Sequence, residues 1–158
     1  MMKQQNNKTA LVYAVDLLSV RAYSTKQLID KLKRKGYLTE EISMAISRLQ
    51  ERHYLDDSDL CQRQYQAYIN EQRRSIKAIK YKLLEKGFNA DDITLAQNEL
   101  AVDEVEYEYT VCCRLLNNHY RVNNADKLKC QGYLYRKGFN VTAIRLAIED
   151  FFENVNNC

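Results

Sequence analysis

The sequence contains no proline, against an average usage of about 5%. Nothing in it locks φ by a ring or deletes a backbone N–H donor, so long helices with short turns are free to form. Glycine is almost as scarce, with four residues, all isolated, which excludes a Gly-rich loop that cradles phosphate. No apolar run approaches the roughly 18 residues of a membrane span, and Met1 to Lys8 form a polar stretch without a signal-peptide core. A cytoplasmic protein without membrane association is expected. Cys61, Cys112, Cys113, Cys130 and Cys158 make no Cys-x-x-Cys pair, and their odd number argues against a disulfide framework. His53 and His119 are not at ligand spacing. No catalytic residue, metal site or cofactor is expected, and the thiols read as core or surface groups.

What the chain does have is a repeat. Leu32-Lys33-Arg34-Lys35-Gly36-Tyr37 recurs as Leu83-Leu84-Glu85-Lys86-Gly87-Phe88 and as Leu134-Tyr135-Arg136-Lys137-Gly138-Phe139. Gly36, Gly87 and Gly138 stand 51 residues apart, a period that marks tandem supersecondary units. Ser24, Ser75 and Asp126 align in the same register, as do Leu28, Ile79 and Cys130, then Ile42, Ile93 and Ile144. The polar set suits helix N-caps, and Ser24 with Gln27 suits a capping box. The glycines suit the left-handed position that ends a helix. A second helix follows each glycine, with Thr39, Asn89 and Asn140 as its expected caps. In front of each cap lies a further amphipathic stretch, the first holding Leu11, Ala14, Val15 and Leu18 on one side.

The expected architecture is all-α, with three tandem three-helix repeats. Residues 1–8 are a flexible N-terminus, followed by repeats over 9–56, 57–102 and 103–158. Asp57 or Ser58 caps the first helix of repeat two, and Asp56-Asp57 reads as a turn and cap rather than a cation site. A 51-residue unit alone buries too little surface to be robust, so neighbouring repeats are expected to share interfaces. Whether residues 91–118 form one helix or two is open from the sequence.

Charge follows the same period. Residues 21–37 hold six basic residues and one acidic, 73–87 again six and one, and 121–138 five and one. The third helices reverse the sign: 89–108 hold seven acidic residues and no basic one. Cations in a last helical turn and anions in a first turn complement helix dipoles, which explains part of this pattern. It leaves Arg21, Arg73, Arg74, Lys77 and Lys129, at or before the starts of the central helices. The candidate partner-binding set is Arg21, Lys31, Lys33, Arg34, Lys35, Arg73, Arg74, Lys77, Lys80, Lys86, Lys127, Lys129, Arg136 and Lys137. With Tyr81, Tyr133 and Tyr135 interleaved, such a strip suits a phosphate backbone or an acidic protein groove, or is simply a solvated face.

These residues carry a resemblance. Ser24-x-x-x-Leu28-x-x-x-Leu32-x-x-Lys35-Gly36-Tyr37, the exit Tyr54-Leu55-Asp56-Asp57, Ile79-x-x-x-Leu83-x-x-Lys86-Gly87-Phe88 and Leu134-x-Arg136-Lys137-Gly138-Phe139 resemble the RecX family, small bacterial regulators of the RecA recombinase. The resemblance implies an elongated, curved array of three modules that binds the RecA–DNA filament and inhibits or modulates its ATPase, recombinase and co-protease activities. Some members of the family also bind DNA directly, single- or double-stranded, and a monomer is expected. A direct DNA-binding regulator is the alternative. The chain departs from the family in carrying Arg73-Arg74 before the second central helix, where a basic residue followed by glycine is frequent.

Overall fold

The computed structural model of the chain describes residues 8–121 and 124–156. The expected flexible stretch 1–8 falls outside these residues except for Lys8, as does Cys158. Every regular element in the described residues is a helix. They are α1 (Ala10–Val20), α2 (Thr25–Lys35), α3 (Thr39–Glu51), α4 (Asp57–Glu71), α5 (Ile76–Glu85), α6 (Ala90–Leu100), α7 (Glu104–His119), α8 (Lys127–Arg136) and α9 (Val141–Asn156). None is long and apolar enough to cross a membrane.

The ends of these helices form where the side chains dictate. Ser24, Ser75 and Asp126 each accept a hydrogen bond from the backbone N–H three residues on, and Gln27 returns the capping box through the Ser24 N–H. At the other end Gly36, Gly87 and Gly138 have φ of 98°, 95° and 85°. Each is followed by an aromatic residue whose N–H reaches back to Leu32, Leu83 or Leu134. The glycine N–H bonds the carbonyl one residue further along, which completes a Schellman turn three times over. Phe88 and Phe139 then fold inward and are buried. Three more helix exits use left-handed residues that are not glycine: His53, Gln72 and Ala101. Ala101 also answers the question of 91–118: the chain breaks there, and Asp103 caps α7.

Two expected caps are displaced. Thr39 is the first residue of α3 rather than its cap; Leu38 holds that position, and its N–H donates to the Glu41 carboxylate at 2.9 Å. α4 is capped by Asp56, which accepts from Asp59 N–H at 3.1 Å. This leaves Asp57, expected as a cap, free for another bond. Asn89 caps α6 as expected, and Asn140 accepts from Thr142 N–H at the start of α9.

Within each repeat the first and third helices pair, α1 with α3, α4 with α6 and α7 with α9, while the central helix lies across them. The aligned apolar positions are what they bury. Leu28, Leu32, Ile79, Leu83, Cys130 and Leu134 are fully buried, each aliphatic side chain contributing about 1.5–3 kcal/mol. The cores are divided unevenly. Repeats two and three share one continuous cluster running from Leu60 to Phe151, whereas repeat one keeps a separate core from Ala10 to Leu55. The expected sharing of apolar interfaces therefore holds for only one of the two junctions.

Candidate partner-binding surface

The central helices α2, α5 and α8 meet end to end, and hydroxyl groups make the joins. Ser24 Oγ, besides capping α2, donates to the Lys86 carbonyl at the C-terminus of α5, 2.5 Å away. Ser75 Oγ does the same to the Lys137 carbonyl at the end of α8, at 2.9 Å. A serine suits this position because a hydroxyl accepts from one helix and donates to the other at once. An acid from the following repeat completes each join. The Asp57 carboxylate accepts from Thr25 N–H at 2.8 Å and Thr25 Oγ1 at 3.1 Å. Glu108, 51 residues later, accepts from Ile76 N–H at 2.8 Å and from Asn140 N–H at 2.5 Å. Both anions thus sit at helix N-termini, where orphan N–H groups and the helix dipole favour them. Glu108 is 1% exposed, and this burial raises its pKa above the usual carboxylate range, against the two backbone bonds that lower it.

The glycines serve these joins as well as the turns. A Cβ at Gly87 would lie 2.5 Å from the Lys26 Cβ, and one at Gly138 would lie 3.2 Å from Ser75 Oγ. Gly36, at the free end of α2, has nothing within 4 Å. Only the left-handed turn demands glycine there.

The joined helices present the candidate cations in several groups. Lys77, Lys80, Arg136 and Lys137 line a groove of about 830 Å³ where α8 meets α5, with exposed Tyr81 and Tyr135 beside them. Lys82 lines it too; it belongs to the counted basic stretch but not to the candidate set. Arg21 and Lys31 converge on the Tyr23 ring, at 4.4 and 5.3 Å from its centroid. Arg74 and Lys86 converge on Tyr68; Arg74 also pairs with Glu71, and Lys86 donates to Gln64 at 2.8 Å. Lys35 lies over Tyr13 and Lys137 over Tyr133. Lys33, Arg34, Arg73, Lys127 and Lys129 are exposed and stand apart from these groups. Among the described residues Arg74 is the one candidate held in an ion pair. Tyr133 is not an open aromatic: it stacks on His119 with centroids 4.5 Å apart and meets Tyr120 edge-on.

Among the described residues the thiols are held above their ordinary pKa. Burial pushes Cys61 up to about 11 and Cys112 up to about 12, so both stay protonated near neutrality. Among the described residues no group of His, Cys, Asp and Glu converges as a metal site would.

Sequence reasoning missed the joins. From the sequence Asp57 reads as a cap and Glu108 as one of seven acids in a stretch, although their spacing of 51 residues is the available signal. That spacing is silent on its own, because a carboxylate on a first helix gives no sign that its partner lies in the preceding repeat.

Likeness to known proteins agrees with this arrangement. Residues 10–49 match the profile described as "RecX, first three-helix domain". Over 146 residues the chain is 30% identical to "Regulatory protein RecX" of Caldanaerobacter subterraneus subsp. tengcongensis, covering 89% of this chain and 70% of that protein. It is 25% identical to the protein of the same name from Oceanobacillus iheyensis, covering 89% of this chain and 52% of the relative. The crystal structure of RecX from Lactobacillus salivarius superposes with a TM-score of 0.73 at 25% identity, over 90% of this chain and 94% of that one. The fold is common to both, and the sequence likeness extends over nearly the whole chain: it belongs to the RecX family of regulatory proteins.

Proposed function

We propose that this chain binds the RecA–DNA filament and modulates RecA, chiefly by inhibiting its ATPase, recombinase and co-protease activities. In this reading it acts as a cytoplasmic monomer without catalysis of its own, in recombination, DNA repair and the SOS response. The observation that carries the reading is the end-to-end joining of α2, α5 and α8 through Ser24 and Ser75. It sets cations of successive repeats along one run of helices, and an extended surface suits a partner that is itself periodic. Residues 9–56, 57–102 and 103–158 then act as three linked modules, and contacts made together gain effective concentration over any one alone.

The test is RecA's single-strand-DNA-dependent ATP hydrolysis with this protein at sub-stoichiometric ratio. Strong inhibition is expected; unchanged hydrolysis with the cognate RecA would contradict the reading. Reversing the charge of Lys33, Arg34, Lys77, Arg136 and Lys137 together should abolish the effect and leave helical circular dichroism intact, because all are exposed. Direct DNA binding is a second reading, favoured by the exposed Tyr81 and Tyr135 beside lysines. It requires affinity for bare DNA that falls with salt, at about 0.9 in the log–log slope per neutralised phosphate.

A further inference from the structure

The basic groove does not stop at the end of α8. Tyr135 is a wall of a second hollow of about 420 Å³, lined by Leu128, Gly132, Val141 and Ile144. The two hollows adjoin at Tyr135, which is a wall of both: one half is basic along α5, the other apolar between α8 and α9. Its apolar half is open to solvent: Leu128 is 78% exposed and Val141 68%. Arg145, the cation on that side, is tied to Glu149 at 3.1 Å.

This apolar half is peculiar to repeat three. In the register of 51, Leu128 corresponds to Lys26 and Lys77, which lie against Gly87 and Gly138 in the two joins. Val141 corresponds to Thr39 and Ala90. Repeat three therefore bears large apolar side chains at places where the other repeats are charged, polar or small.

We propose that the two hollows, joined across Tyr135, act as one channel that seats an extended acidic segment of a partner polypeptide, with carboxylates over Lys77, Lys80, Arg136 and Lys137 and an apolar anchor on Leu128 and Val141. The proposal rests on the filament reading above and names the chemistry of one contact within it. Charge complementarity selects the occupant. A nucleic-acid backbone is anionic along its whole length, and it would set phosphates against Leu128 and Val141. A polypeptide can match such a surface, since its side chains change from charged to apolar within a few residues. Two helices of ten residues placed in series measure about 30 Å, within reach of about nine extended residues.

Fluorescence anisotropy with the full chain tests this. The probes are a labelled peptide of Glu and Asp ending in two Leu, the same peptide ending in two Ser, and labelled oligothymidylate. The leucine-ended peptide should bind about tenfold more tightly than its serine control. Leu128→Ser, at an exposed position that leaves the fold intact, should erase that advantage without changing binding of the control or the oligonucleotide. Lys137→Glu should weaken both peptides. Equal affinity of the two peptides, or an advantage that survives Leu128→Ser, would overturn the proposal. So would a dimer in sedimentation that Leu128→Ser dissolves, since a second copy would then be the occupant. The RecA assay separates this failure from that of the function. Equal inhibition by wild type and Leu128→Ser would remove the channel and leave the filament reading. Peptide discrimination through Leu128 without any effect on RecA would do the reverse.

Discussion

The two junctions of this array use the same parts and differ in what surrounds them. At both, a serine caps one central helix while donating to the end of the next, and an acid from the following repeat accepts N–H groups of the helix start. Between repeats two and three these bonds lie against a continuous apolar core. Glu108 is buried, and Tyr107 Oη adds a bond to the Arg74 carbonyl at 3.0 Å. Between repeats one and two the cores are separate, and Asp57 is half-exposed. Asp92 nearby is held above its usual pKa, first by burial and then by Asp57, Asp91 and Asp56, whereas Glu104 is the one carboxylate that acts on Glu108 in this way. Ser24 and Ser75 are equally buried, so the difference lies in the acids: one joint is enclosed by apolar surface, and the other leaves its carboxylate open to water, where a polar bond is worth less.

Substitutions at matched positions sharpen this contrast. Glu108→Ala leaves the buried N–H of Ile76 and the half-buried N–H of Asn140 without partners and should cost about 2–4 kcal/mol, whereas Asp57→Ala should cost about 1 kcal/mol because water can replace it. Urea unfolding of the two variants gives the difference, and equal losses would erase the distinction. A second pair separates turn from joint. Gly36→Ala bears only the left-handed penalty of about 1 kcal/mol, while Gly87→Ala adds the collision with Lys26 and should cost at least twice as much. In the opposite direction, Ala101→Gly should stabilise by about 0.5–1 kcal/mol, since Ala101 sits at φ 47° where glycine is unstrained.

pH probes the second junction. Because burial raises the Glu108 pKa in the folded chain, the folded state holds its proton more tightly than the unfolded state does. Its contribution to stability should therefore improve as pH falls from the folded value towards about 4.3, the ordinary value for Glu. Compared with Glu108→Gln, wild type should gain relative stability over that window in denaturation at stepped pH. A gap independent of pH would contradict the assignment.

The helices and turns were legible in the sequence because each is specified locally. Ser24, Ser75 and Asp126 cap within three residues of themselves, and the glycines act on the turn they occupy. Ala101 and Gln72 were opaque for the converse reason, as neither residue type announces a left-handed exit and the surrounding helices impose it. The joins were opaque because they relate residues 32 or 62 positions apart, although the repeat held them in register. Of the candidate surface, the alternation of charge was visible, but its grouping was not. Nothing in the spacing of Lys77, Lys80, Arg136 and Lys137 shows that one groove gathers them while Arg21 and Lys31 fold onto Tyr23. Nothing in the spacing of Leu128 shows that it stays exposed.

Native-state hydrogen exchange in mild denaturant tests the contrast of the two junctions most directly. Amides of α2 around Leu28 and Leu32 should open at a lower free energy than those of α5 and α8, which should open together. Ser24→Ala should lower the opening energy of α2 while leaving α8 unchanged. A single shared opening energy for all three central helices, shifted as one by Ser24→Ala, would contradict the account.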